Sequence, residues 1–186
     1  DNFKSGAELG FALGDPDIPV LDHPLNHKHG RAPQLRLWGL QSDGSRDVPT
    51  LLVVGSSDVQ YKSLLAYYHQ LCEALGPLPP PRVVNVDHGR QRFLLFTLPA
   101  TRAVGACSTP AFAWIDTPTS GADVDRQLQV TGWAFKDGEG LDRVEVLVNG
   151  KVAASAEYGK PSPGTEAFWK VSNDPNHPDV GFSASV

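Results

Sequence analysis

The sequence predicts an α+β chain in two parts: a small layered α/β domain with a mixed sheet over residues 1–104, then a β-sandwich over residues 110–186. Three observations carry this expectation. Helix and strand patterns alternate through the first half, helical periodicity stops near Ala103, and from Phe112 onward apolar residues alternate with polar ones between turn signals. The linker is placed at Gly105 to Pro110.

Composition agrees with two packed cores. The 186 residues are 40% hydrophobic and 9% aromatic, too apolar for disorder. The 18 glycines and 16 prolines are scattered and mark frequent turns. A net charge of −5 without a compensating Lys/Arg cluster argues against a nucleic-acid partner. No apolar run approaches the roughly 20 residues that span a bilayer, and no signal-peptide pattern is present. The chain opens on Asp1, contains no Met and ends within a strand pattern at Val186, so it reads as a fragment of something longer.

In order along the chain, residues 1–13 read as a helix. Asp1 or Asn2 caps it, with Ser5-Gly6-Ala7-Glu8 as an alternative capping box, and Phe3, Ala7 and Phe11, with Gly10 and Leu13 beside them, form a stripe suited to facing a sheet. Gly14-Asp15-Pro16 stops it, and Ile18 to Leu21 is a short strand. A polar loop from Asp22 to Arg31 carries three histidines, and Gln34 to Leu40 fits a strand or a short helix. The apolar run from Thr50 to Val54 predicts a strand covered on both faces. A turn at residues 55–58 then leads into a helix whose buried face is Tyr61, Leu64, Leu65, Tyr68, Leu71, Cys72 and Leu75, ended by Gly76-Pro77. Strand, turn and helix make most of a βαβ unit. Val83 to Val86 and Arg92 to Leu98 then flank an edge hairpin.

In the second half, Leu128 to Phe135 is a strand. Val144, Val146 and Val148 run into Asn149-Gly150, a two-residue type I′ loop, and Val152 and Ala154 return. Gly181 to Val186 is one more strand. Cys72 and Cys107 permit a single bridge at most, and the helical stripe favours Cys72 as a buried free thiol.

Two resemblances rest on particular residues. Asp1-Asn2-Phe3, Ala7-Glu8-Leu9-Gly10-Phe11, Val20-Leu21-Asp22-His23-Pro24-Leu25-Asn26, Lys28-His29-Gly30-Arg31 and Leu37-Trp38 resemble a soluble region at the C-terminal end of bacterial membrane glycosyltransferases. These belong to the protein O-mannosyltransferase and lipid A aminoarabinose transferase superfamily. Val130-Thr131-Gly132-Trp133-Ala134, Val144-Glu145-Val146, Val148-Asn149-Gly150, Tyr158-Gly159 and Gly181-Phe182 are similar to a bacterial immunoglobulin-like module. That module carries further strands after its Gly-Phe strand, so the second resemblance implies a sandwich incomplete at its C-terminal end. The first implies a periplasmic position at the inner membrane, a membrane-embedded partner in the same parent chain, and transfer chemistry lying upstream of Asp1. It also implies a polyprenyl-phosphate-linked sugar as donor. An envelope module binding glycan or protein is the alternative.

The polar run from Asp22 to Arg31 is the densest candidate site. Asp22, His23, Asn26, Lys28, His29 and Arg31 are the residues expected to meet the phosphate or sugar of a lipid-linked donor, since cationic side chains make charge-assisted bonds to phosphate oxygens. The plainer alternative is a surface loop pinned by turns at Asp22, Pro24 and Asn26. His23, His27 and His29 match no common zinc spacing, and neither a metal nor a cofactor is expected. The turn at residues 55–58 reads as a helix cap with Asp58 rather than an anion site, and no G-x-S-x-G elbow is present. The acid pairs Asp137/Glu139 and Asp123/Asp125 read as solvated turns. Trp133 is assigned to the core, and Trp169, in a Pro- and Asn-rich segment, is the surface candidate for stacking on a sugar. No catalytic residue is assigned.

Overall fold

The computed structural model describes residues 1–55, 59–87 and 90–186. The chain is mixed α+β with several separate sheets and divides into two compact units, Asp1–Cys107 and Ser108–Val186.

The first unit opens with α1, Phe3–Leu13. Asn2 caps it, its Oδ1 accepting from the backbone N–H groups of Lys4 at 3.0 Å and Ser5 at 3.4 Å. Gly14 ends it at φ 67°, a left-handed conformation natural to glycine. The stripe expected to face a sheet does not do so: Phe11 is 93% exposed and Leu13 68%. The inward positions are Ser5 and Gly6. A Cβ at Gly6 would meet Val20 Cγ1 at 2.5 Å, so the glycine face is what admits the neighbouring strand β1, Val20–Leu21.

β1 pairs in parallel with β2, Gln41–Ser42. Between them the expected polar loop folds as two short helices, α2 (Pro24–Lys28) and α3 (Ala32–Leu37). Each has a proline in its first turn, where the missing N–H has no helical partner to lose.

The main sheet holds β3 (Thr50–Gly55), β4 (Arg82–Val86) and β5 (Gln91–Leu98) in the order β3-β5-β4, both pairs antiparallel. β3 and β4 therefore run the same way with β5 inserted between them. The expected βαβ unit exists in this split form. The register pairs Leu52 with Phe96 and Val54 with Leu94, and these four side chains are buried. Each contributes roughly 1.5–3 kcal/mol by leaving water. β3 is not covered on both faces as expected: Leu51 is 58% exposed, and an antiparallel sheet tolerates one wet face. The cap expected at Asp58 and the hairpin tip at residues 88 and 89 lie outside the described residues.

After a 3₁₀ turn at Tyr61–Ser63 comes α4, Leu64–Leu75, with the predicted apolar face buried except for Tyr61, which lies in the 3₁₀ turn and is 43% exposed. Two arginines from distant segments satisfy its last carbonyls. Arg46 donates to the Leu75 oxygen at 3.1 Å, and Arg102 to those of Glu73 at 2.6 Å and Ala74 at 3.3 Å. Cationic groups are favourable at this negative end of a helix. Cys72 is buried on α4 but is not the free thiol expected. It is bridged to Cys107, the two Cα atoms 6.0 Å apart, within the ordinary disulfide range. The partner arrives from 35 residues away, a closure that the helical stripe does not reveal.

The second unit is built on a four-stranded antiparallel sheet of β6 (Phe112–Thr117), β7 (Gln129–Phe135), β10 (Glu157–Lys160) and β11 (Gly181–Ser185), ordered β10-β11-β7-β6. A separate hairpin pairs β8 (Glu145–Val148) with β9 (Lys151–Ser155). Its loop has Asn149 at φ 51° and Gly150 at φ 78°, the two positive angles that a type I′ turn requires. Val130 and Ala134 of β7 and Phe182 of β11 form a core with Val144, Val146 and Tyr158 packed against it. Phe182 lies opposite Gly132, where a Cβ would run into the Trp114 carbonyl oxygen. Phe112, Phe135 and Trp169 form an aromatic cluster, with Trp133 half-buried beside it. A short helix α5, Pro163–Phe168, was not foreseen; six residues are too few to show a stripe.

Candidate functional site

The structure separates the predicted site residues into two groups. His23 and Asn26 point inward, each 1% exposed. Asn26 ties three segments together: its Oδ1 accepts from the Phe3 N–H at 2.9 Å, its Nδ2 donates to the Leu21 oxygen at 2.9 Å, and its backbone oxygen accepts from the Arg31 N–H at 2.7 Å. His23 caps α2, its Nδ1 accepting from the Leu25 N–H at 3.0 Å. That bond puts the proton of the neutral ring on Nε2, 3.8 Å from Asp1 Oδ2. The ring meets Tyr67 edge-on at 5.0 Å, and the Tyr67 hydroxyl donates to the same Asp1 oxygen at 3.1 Å. Burial of Asn26, His23 Nδ1 and the Tyr67 hydroxyl is tolerable because each is hydrogen-bonded. His23 and Asn26 are therefore scaffold, and contact between them and a ligand is corrected to a positioning role.

Asp22, Lys28, His29 and Arg31 are exposed. Asp22 is occupied by His27 at 2.5 Å. His29 leans on Phe3, ring centroids 5.6 Å apart. Among the described residues no carboxylate pairs with Lys28 or Arg31. From His23 to Ser42 the chain carries Lys28, Arg31 and Arg36 and no acid at all, against a net charge of −5 for the whole. The structure thus supplies a cationic rim held on a buried Asn26 pin. Among the described residues there is no group of three His, Cys, Asp or Glu poised for a metal.

A groove of about 650 Å³ opens beside this rim. Phe3, Ala7 and Phe11 of α1 form one wall; Leu35 and Trp38, from α3 and its end, form the other with Leu40. Arg31 is the single charged side chain among the lining residues. The helical periodicity had marked Phe3, Ala7 and Phe11 as a packed stripe; what exposes them is that α1 turns its glycine face inward instead.

Trp169 is a correction. It is 2% exposed, packed against Phe112 at 4.8 Å and Phe135 at 5.7 Å, so it cannot stack on a sugar. Its Pro- and Asn-rich setting suggested surface, but the segment folds back as α5 and plugs the sheet. Asp137 is also not a solvated turn: it is 7% exposed and accepts from the Asn173 N–H at 2.5 Å. Compared with known proteins, the chain matches no family model, no curated protein and no solved structure.

Proposed function

We propose that this chain is a non-catalytic, extracytoplasmic accessory region of an integral membrane glycosyltransferase that takes its sugar from a polyprenyl phosphate carrier. In this reading its first unit contacts the carrier's phosphate, while the transfer chemistry belongs to the membrane-embedded part of the same parent chain, at the periplasmic face of the inner membrane. The observation that carries it is the rim of Lys28, His29 and Arg31, exposed and held in place by the buried Asn26. Such a rim suits an anion better than a neutral sugar. The Cys72–Cys107 bridge supports an oxidising compartment.

The second unit we read as an immunoglobulin-like β-sandwich, on the support of its four-stranded antiparallel sheet and the β8–β9 hairpin. The alternative of a glycan-binding module loses the residue it rested on, because Trp169 is buried.

The test is sugar transfer by the full-length parent enzyme carrying Lys28→Ala and Arg31→Ala. Loss of two charge-assisted contacts is expected to raise KM for the lipid-linked donor by about tenfold or more, with kcat at saturating donor retained. Unchanged KM at normal membrane levels of the variant refutes the phosphate contact.

A further inference from the structure

The rim and the groove are one construction. Phe3, at the start of α1, is bonded to Asn26, and Arg31, at the start of α3, is bonded to the same residue. The cationic end of the groove, at Arg31, is therefore the end where both helices begin, with His29 against Phe3 there and Lys28 one residue before His29 in the chain. From there the lining is apolar, Gln34 excepted, as far as Phe11 and Trp38. At 1.5 Å per residue, the path along α1 from Phe3 to Phe11 is about 12 Å. A trough with cations at one end and hydrocarbon walls along its length complements an amphiphile with one chain and an anionic head. Phe11 at 93% exposure and Trp38 at 60% are walls without a lid. Large apolar side chains left this open mark a binding surface.

We infer that the α1–α3 groove binds a single-chain lipid phosphate, with the phosphate against Lys28, His29 and Arg31 and the hydrocarbon lying between Phe11 and Trp38. The inference rests on the reading above for the phosphate headgroup; the seat for the chain is new. A flat bilayer contact is less suited, because the apolar side chains face each other across a trough. It remains an outcome that the test separates.

The experiment titrates the intact 186-residue chain with farnesyl phosphate below its aggregation limit, with farnesol and inorganic phosphate as parallel arms. Binding is read by calorimetry and by the emission of Trp38, the one tryptophan of the first unit, against a Trp38→Phe control. Saturable binding of farnesyl phosphate with a blue shift is expected, tighter than either arm by about tenfold or more. Ala7→Trp fills the trough from an exposed helix position and should weaken binding about tenfold, as should Arg31→Ala. Circular dichroism confirms that both variants are folded.

Three results overturn the inference: no binding of farnesyl phosphate, equal binding of inorganic phosphate, or capture only by anionic vesicles. If Arg31→Ala weakens binding and Ala7→Trp does not, the groove is wrong while the phosphate rim stands. If both variants behave as expected but donor KM in the parent enzyme is unmoved, the groove stands and the glycosyltransferase reading falls.

Discussion

The Cys72–Cys107 bridge joins the last turn of α4 to the last residue of the first unit, closing a loop of 35 residues. In the chain-entropy account, a loop of that length removes about 13 cal/mol/K from the unfolded ensemble, or about 4 kcal/mol at 25 °C. For a unit of this size, 1 kcal/mol shifts the melting midpoint by roughly 4–8 °C. Cys72→Ala with Cys107→Ser should therefore lower the midpoint of the first unit by about 15–30 °C. The second unit contains neither cysteine and should keep its midpoint. Differential scanning calorimetry with and without reductant reads this. Hydrogen exchange should localise the first loosening to the C-terminal turn of α4, whose carbonyls Arg102 now holds from the tethered segment. The reasoning fails if the oxidised and reduced proteins melt together. It fails equally if the native, unreduced protein reacts with a thiol reagent at Cys72 or Cys107.

Three further predictions concern single side chains. Trp169→Ala should destabilise the second unit by about 3–5 kcal/mol, read by urea denaturation, and leave any glycan binding unaltered apart from unfolding, because Trp169 fills a core. Asn26→Ala strips partners from the Phe3 N–H and the Leu21 oxygen and should cost about 2–3 kcal/mol in the first unit's denaturant stability; Asn26→Asp, which sets a buried carboxylate oxygen against the Leu21 carbonyl, should cost at least as much. Glu139 is held below the usual glutamate range by hydrogen bonds from Lys136 Nζ and Ser108 Oγ. A depressed carboxyl stabilises the fold above its unfolded pKa and loses that contribution as pH falls through the folded value. Carboxyl titration by NMR should place its midpoint under 4.5, and Lys136→Ala should move it upward.

Periodicity made some elements legible and hid others. α4 announced itself through seven apolar positions at helical spacing, and all but Tyr61, which lies in the preceding 3₁₀ turn, are buried on it. The Asn149-Gly150 turn was legible because only its residue types take positive φ cheaply. α1 is legible from its periodicity, with Asn2 one of the caps that the sequence offers, but its buried face is not. Apolar periodicity identifies a stripe, and here the buried face was chosen by backbone approach at Gly6. Trp169 failed for a related reason: polar neighbours describe a local sequence, whereas burial is decided by the strands that Trp169 reaches, Phe112 and Phe135.

The candidate site shows why its residue types were recognisable while their roles were not. Histidine, asparagine, lysine and arginine crowded into ten residues signal a specialised loop, but composition cannot say which of them turn inward. Two geometric facts decide it. Proline in the first turn of α2 starts a helix at Pro24, so His23 falls at its cap, where Nδ1 is used up on the Leu25 N–H. Three positions later Asn26 falls on the inner face, and an inward asparagine between a helix start and a strand end has both backbone partners waiting. Lys28 and Arg31 stay outside, since an unpaired buried cation is costly and the buried carboxylate of Asp1 is already engaged by Asn2 and Tyr67. The inward asparagine and the outward cations are thus consequences of one another. Any ligand taken at this site is recognised by the charges left over once the fold has spent its polar groups on itself.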